Sequence, residues 1–352
     1  MNDFISLVEV TRGETTESVH FGAVAVVDAQ GAILARAGNP HAMIFTRSSL
    51  KPFQAIPFVA QGGVEKLGFS ESELAVMCAS HNGEDLHVEA VRSMLRKIRC
   101  TEADLQCGSH VPNHITDSGK QVVGKADFSP VYNNCSGKHA GMLAFCKLLG
   151  VPHHNYLEPG HPIQLEIRKS AAYFTGVPQS ELRMGIDGCS APNYALPLSA
   201  LARAFARLSS PEPDPQYGEA PARVFAAMTA HPRMVSGLGR GDLAIMQAGC
   251  GDWVSKVGGE AIEGVGIRSL GLGLAAKVAG GGTRALVPLV VEVLRQLDIL
   301  PDPEGTALAE WACPPVKNHR NIITGHIMAR FQLEQVADRA AWKGALRATG
   351  TV

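Results

Sequence analysis

A chain of 352 residues with 45% hydrophobic and 18% charged residues carries roughly two domains' worth of core, which excludes a disordered chain and removes any need for disulfide staples. Its formal net charge of −1 offers no broad cationic field to a nucleic-acid backbone. The longest apolar stretches, 21–27 and 285–299, are too short or too interrupted to cross a bilayer, and the first residues lack the basic-then-apolar pattern of a secretory leader. A soluble, cytoplasmic protein is expected.

Residues 4–10, 20–27 and 31–35 are short β-branched, apolar runs separated by turn signals, so the chain is expected to open as an antiparallel meander. Thr46-Arg47-Ser48-Ser49 begins a helix with Pro52 in its first turn, ending at Gly62-Gly63. Ser70 and Glu73 stand in capping-box spacing, and 70–99 reads as two helices broken around His81-Asn82-Gly83. From about 100 to 240 the pattern is helical, clearest over 138–149, 162–174 and 197–208. A Pro-rich connector at 209–221 then leads into a further helix over 222–230. Short runs at 253–257, 261–267 and 272–278, split by glycine pairs, predict a second meander. A long amphipathic helix follows over 283–299, and 321–331 returns to the sheet. The expected fold class is α+β: an antiparallel sheet built from the N- and C-terminal segments, flanked by helices, with a mostly helical insertion. The domains are expected at 1–80 plus 245–352 and at 81–244.

Eight cysteines occur without a CxxC pair or a disulfide framework, so most are expected to be small buried hydrophobes. Several segments hold reactive side chains at suggestive spacing. Ser48 and Lys51 lie three apart, on one helix face, where a neutral amine takes the proton of a serine nucleophile. The same residues also fit a helix cap followed by a surface lysine. Ser80 and Asn82 sit at a helix break, either aimed at a pocket or forming an ordinary Asn-Gly turn. Lys256, in a Lys-Val-Gly-Gly run, is either a strand lysine beside a pocket or a solvated one. Cys135 and Cys189 each stand in a polar, Gly-containing loop, where two thiolates could bind zinc with a third ligand. His139 or Asp187 would be the conventional third donor, and Lys138 an unusual one. Two half-buried free thiols, or a cysteine nucleophile with His139 as base, are the alternatives.

In combination, the segments TRSSLKPFQA, CASHNGEDLH, NNCSGKHAGM, GIDGCSAPNY, AHPRMVSG and SKVGGEA resemble, in this order, the class 3 (rhizobial-type) L-asparaginases of the asparaginase II family. The resemblance implies a fold like the serine β-lactamases and penicillin-binding proteins, and a homodimer that hydrolyses L-asparagine to L-aspartate and ammonia. It implies two Ser-Lys tandems, Ser48 with Lys51 and Ser80 with Lys256, although Lys277 competes with Lys256 for register. It also implies a zinc ion on Cys135, Lys138 and Cys189. Arg47, Asn82, His139 and Asp187 are expected to contact the substrate, with Arg47 equally able to form a structural ion pair. A glutaminase-like hydrolase of another amide, or a catalytically silent relative that binds a small molecule or metal, remains the alternative.

Overall fold

The computed structural model describes residues 3–117 and 128–337. The chain divides into two compact units, one of residues 1–44, 196–209 and 244–352, the other of residues 45–195 and 210–243.

The first unit is built on a nine-stranded antiparallel sheet. Ile5–Arg12 pairs on one side with Thr15–Asp28 and on the other with Ile323–Ala329, in register Val8 to Ala329. Thr15–Asp28 continues to Leu272–Val278, which leads through Ile262–Ile267 to Trp253–Gly258. The expected sheet from both chain ends is therefore present, with every meander in place. Alternation sorts the faces. Leu272, Leu274, Ala276 and Val278 join the apolar core with Leu289, Val290 and Val293 of the helix Leu286–Gln296. On the other face, Gly264, Gly266 and Gly273 admit the helix Leu198–Leu208; a Cβ on Gly273 would stand 1.8 Å from the Ala202 carbonyl oxygen.

That packing corrects the expected boundaries. Residues 196–209, read as part of the insertion, belong with the sheet because these glycines seat their helix. Residues 45–80, read as part of the sheet domain, cluster with the helical unit because the helix Lys51–Ala60 packs on Pro162–Thr175, Ala220–Ala230 and Ser136–Leu149.

The second unit surrounds that helix. Phe53 and Phe58 are fully buried, their rings against Phe174 and Phe145. Pro57 inside the helix has no N–H to offer the Phe53 carbonyl one turn back. The Ser170 hydroxyl supplies a donor there, at 2.7 Å. Ser70 and Glu73 form the capping box that their spacing predicts, opening the helix Glu71–Met77. The region between 100 and 240 is not wholly helical: Arg183–Ile186 and Pro192–Pro197 form a strand pair whose connection carries Asp187 and Cys189. No helix among the described residues is long and apolar enough to cross a membrane.

Candidate active site

Ser48 lies in a single 3-10 turn, Arg47–Leu50, that runs directly into the helix Lys51–Ala60. Arg47 has φ of 49°, a left-handed backbone that a residue with a Cβ rarely adopts without support. The support is Asn193, whose Oδ1 accepts from Thr46 Oγ1 at 2.9 Å, from the Arg47 N–H at 3.1 Å and from the Tyr194 N–H at 2.8 Å. Asn193 was not among the expected site residues; its signal is only its place at the end of the GIDGCSAPN segment.

Lys51 is 1% exposed, and its Nζ donates to the Ala79 carbonyl at 2.5 Å and to Ser80 Oγ at 3.0 Å. The first lysine thus meets the second serine. Among the described residues Ser48 Oγ has no hydrogen-bond partner, and it is nearly buried. Ser80 is held by its own N–H, which donates to the Val235 carbonyl. Lys256 belongs to the other unit, in the strand Trp253–Gly258. It is fully buried there, with Nζ donating to its own following carbonyl, Val257 O, at 2.7 Å. Its rival Lys277 is only half-buried and is bound to the Glu260 and Val278 carbonyls.

Six of the seven residues of the NNCSGKH segment have a clear structural task. Asn133 holds the loop by donating to the Cys107 and Gly108 carbonyls and accepting from the Cys135 N–H. Gly137 lets the helix Ser136–Leu149 lie against Val76, whose carbonyl oxygen would be 2.1 Å from a Cβ. Ser136 spends its one proton on the Val131 carbonyl, so it accepts from His81 Nε2 at 2.9 Å. The other ring nitrogen of His81 accepts from the Gly83 N–H, which fixes a neutral, Nε2-protonated ring. Burial and the nearby His87 and Lys51 charges hold its pKa well below the usual histidine value.

Cys135 caps that fourteen-residue helix, where the partial positive charge favours a thiolate. A hydrogen bond from Cys189, with Lys51 and Lys138 assisting, outweighs burial and holds Cys135 well below the usual thiol range. The same bond and burial push Cys189 up, so Cys135 is the more acidic of the two thiols. Lys138 donates to Cys189 Sγ at 2.8 Å. Burial would discharge it, yet the negative charge of the two cysteines and Asp187 keeps its amine protonated. Asp187 accepts from Arg47 Nε at 2.5 Å; burial alone would raise its pKa, but Lys138 and Arg47 hold it below the ordinary carboxylate value. His139 is fully buried, and burial drives it down to about 4 despite the pull of Cys189. Its Nδ1 is 2.6 Å from the Tyr156 hydroxyl, which accepts from the Gln106 N–H and so gives its proton to the ring. Asn82 donates to the Leu238 carbonyl, while its buried Oδ1 has no partner among the described residues.

The arrangement brings Arg47, Lys51, Ser80, Cys135, Lys138, His139, Asp187 and Cys189 into one connected network within the helical unit. Sulfur from Cys135 and Cys189 and a carboxylate oxygen from Asp187 lie within 4.8 Å of one another, a buried mixed donor set of the kind zinc takes. By geometry the conventional third donor is thus Asp187. Lys138, protonated against Cys189, could ligate only after losing a proton.

Comparison with known proteins identifies the chain more closely. No curated protein sequence matches it. A crystal structure of a candidate beta-lactamase from Bacteroides dorei DSM 17855 is similar at 13% identity, with a TM-score of 0.43, covering 78% of this chain and 93% of that one. That likeness is too loose to carry an argument. The family model of L-asparaginase II matches residues 8–329. That match spans nearly all of both units and every site residue named above, and the chain belongs to the L-asparaginase II family.

Proposed function

We propose that the protein is an L-asparaginase that hydrolyses the side-chain amide of L-asparagine through a serine nucleophile served by lysine. The observation that carries the reading is the buried Lys51 amine, one helical turn from Ser48 and hydrogen-bonded to Ser80. In this reading Ser48 attacks the amide carbon and Lys51 in its neutral form takes the proton. The amine that leaves accepts a proton to depart as ammonia, and water then cleaves the acyl-enzyme ester. Ser80 relays protons to and from Lys51 at 3.0 Å. The 3.0 Å contact equally favours a second version, with Ser80 as the nucleophile and Ser48 as its helper.

Arg47 is steered by Asp187 through Nε, which leaves its Nη groups as donors for the substrate α-carboxylate. Asn82 Oδ1 is an acceptor for the substrate amine, and His139 lines the same network. We further propose zinc on Cys135 and Cys189, with Asp187 or a deprotonated Lys138 completing the set. Bound there, the ion would tie the two cysteine loops together and supply a positive charge beside the substrate. A homodimer and a cytoplasmic location belong to the same proposal; sedimentation of the purified protein at dilute concentration tests the former.

The deciding experiment measures ammonia release from L-asparagine by wild type, Ser48→Ala and Ser80→Ala, with L-glutamine and a β-lactam as control substrates. Mass spectrometry of quenched wild-type enzyme then locates the acyl adduct on one serine. Turnover of asparagine with the adduct on Ser48 supports the first version, and an adduct on Ser80 the second. Absence of asparagine turnover by wild type supplied with zinc would overturn both.

A further inference from the structure

Outside the network described above, the helical unit holds a second group of metal-binding side chains. Cys100, Asp104 and His153 come from three separate stretches of chain, yet their donor atoms lie within 4.8 Å of one another. Cys100 follows the helix Asp85–Lys97, Asp104 ends the 3-10 turn Glu102–Asp104, and His153 stands in the loop after the helix Ser136–Leu149. We propose that these three residues form a peripheral binding site for a zinc-class divalent cation, clipping the 100–104 turn to the 152–156 loop.

The donor set is one thiol, one imidazole and one carboxylate, which together suit zinc better than a hard, oxygen-seeking cation. In a tetrahedral site with bonds of about 2.0–2.3 Å, neighbouring donors stand about 3.3–3.8 Å apart. His153 Nε2 and Asp104 Oδ1 are already 3.3 Å apart. Cys100 Sγ lies within 4.8 Å of both.

The groups behind the donors hold them in place. Asp104 Oδ2 is occupied by the Thr101 N–H at 2.7 Å and the Thr101 hydroxyl at 3.0 Å, which presents Oδ1 to His153. Such support of a ligating carboxylate by a neighbouring donor is what metal sites require. The histidine loop is anchored on both sides of His153. His161 Nε2 donates to the Pro152 carbonyl, the Gln106 side chain donates to the His154 carbonyl at 2.7 Å, and the Gln106 N–H donates to the Tyr156 hydroxyl. Without metal, the direct link across the group among the described residues is a histidine–aspartate contact in which both side chains are about a third exposed (32% and 30%). That contact stabilises little in water, whereas the exposure gives a cation a way in from solvent.

The charges also balance. Binding Zn²⁺ displaces the Cys100 proton to solvent, leaving one thiolate and one carboxylate against two positive charges, with His153 neutral. Without an ion, burial and Asp104 raise the Cys100 pKa while Lys147 lowers it, so the bound cation must itself displace that proton. One water completes the tetrahedral set, so the site is a clip with an open position.

The test uses the full chain, stripped with chelator and dialysed to equilibrium against Zn²⁺, with bound metal counted by emission spectrometry. Wild type is expected to hold one equivalent more than His153→Ala, and one more than Cys100→Ser. Metal on Cys135 and Cys189 adds the same count to every protein, so the difference survives even if that pair binds none. In Co²⁺-substituted protein, the near-ultraviolet thiolate-to-metal band should lose one sulfur's intensity in Cys100→Ser. Cys100 is buried and its replacement can perturb folding; His153→Ala, on the exposed side, is therefore decisive. Zinc should also raise the melting temperature of wild type more than that of His153→Ala. Equal metal counts in wild type and a folded His153→Ala overturn the proposal.

Discussion

The Lys51 amine lies 3.0 Å from the hydroxyl of Ser80, 29 positions further along the chain, and not on the serine that shares its own helical turn. This crossing ties Lys51 to Ser80, and Lys51 is also among the groups that lower the Cys135 pKa. Residues that act through one proton carrier behave as a unit. Ser48→Ala, Ser80→Ala and Lys51→Met should each lower kcat by about 10³-fold or more, and the double variant Ser48→Ala with Lys51→Met should be no worse than the poorer single. Steady-state kinetics on the set provides the check, with multiplicative losses as the contrary result.

Asn193 should matter to both stability and turnover. Its Oδ1 gathers three donors and supports the left-handed backbone at Arg47. Asn193→Ala leaves those donors without their acceptor and is expected to cost about 2–3 kcal/mol in urea unfolding. Because Ser48 follows Arg47 directly, kcat should fall further than a purely structural loss at constant folded fraction would produce. A variant with lowered stability and unchanged kcat would count against this account.

The buried imidazoles His81 and His87 set an acid limit. Their rings stack with centroids 5.0 Å apart, and burial lowers both pKa values, opposed at His87 by the Arg233 carbonyl. Unfolded, each takes a proton near pH 6.5; folded, each refuses it until lower pH. The unfolded chain therefore binds more protons in that window, so stability is full above about pH 7 and drains away as pH falls below about 6.5. Urea midpoints between pH 5 and 8 should show this slope, and His81→Asn should reduce it by up to about 1.4 kcal/mol per pH unit. An unchanged slope in that variant would remove His81 from the explanation.

The helix Lys51–Ala60 keeps its internal proline at the expense of a distant hydroxyl. Ser170→Ala strips the Phe53 carbonyl of the Ser170 donor in a buried setting and is expected to cost about 1–2 kcal/mol. The double change Pro57→Ala with Ser170→Ala should recover most of that loss, since an N–H returns at position 57. Chemical denaturation of the three variants measures it.

The strands, the capping box at Ser70 and the long helices were legible because their cues are local: alternation, 3.6-residue spacing, and capping residues at fixed offsets. The chemistry-bearing segments were also legible, since Arg47, Lys51, Ser80, Cys135, Lys138, Asp187 and Cys189 meet in one network. What escaped was relational. The pair Arg183–Ile186 and Pro192–Pro197 is four and six residues long, too short for a periodic pattern, yet it aims the Asp187–Cys189 loop. Asn193 looks like any turn residue until its three donors, two of them about 146 positions away, are seen together. Membership of residues 45–80 in the helical unit depended on which helices their apolar side chains meet, and of 196–209 in the sheet unit on glycines more than fifty residues distant.

The pairing of Ile5–Arg12 between Thr15–Asp28 and Ile323–Ala329 has a consequence for the life of the chain before it works. On the ribosome the first neighbour emerges at once, whereas the second appears only when most of the protein has been made. Throughout that interval one side of the strand offers bare N–H and C=O groups to any extended segment nearby. The junction of Val8 with Ala329 is thus a latch that the last strands must close. A chain cut short before Ile323 would leave an open template for aggregation in place of a smaller enzyme.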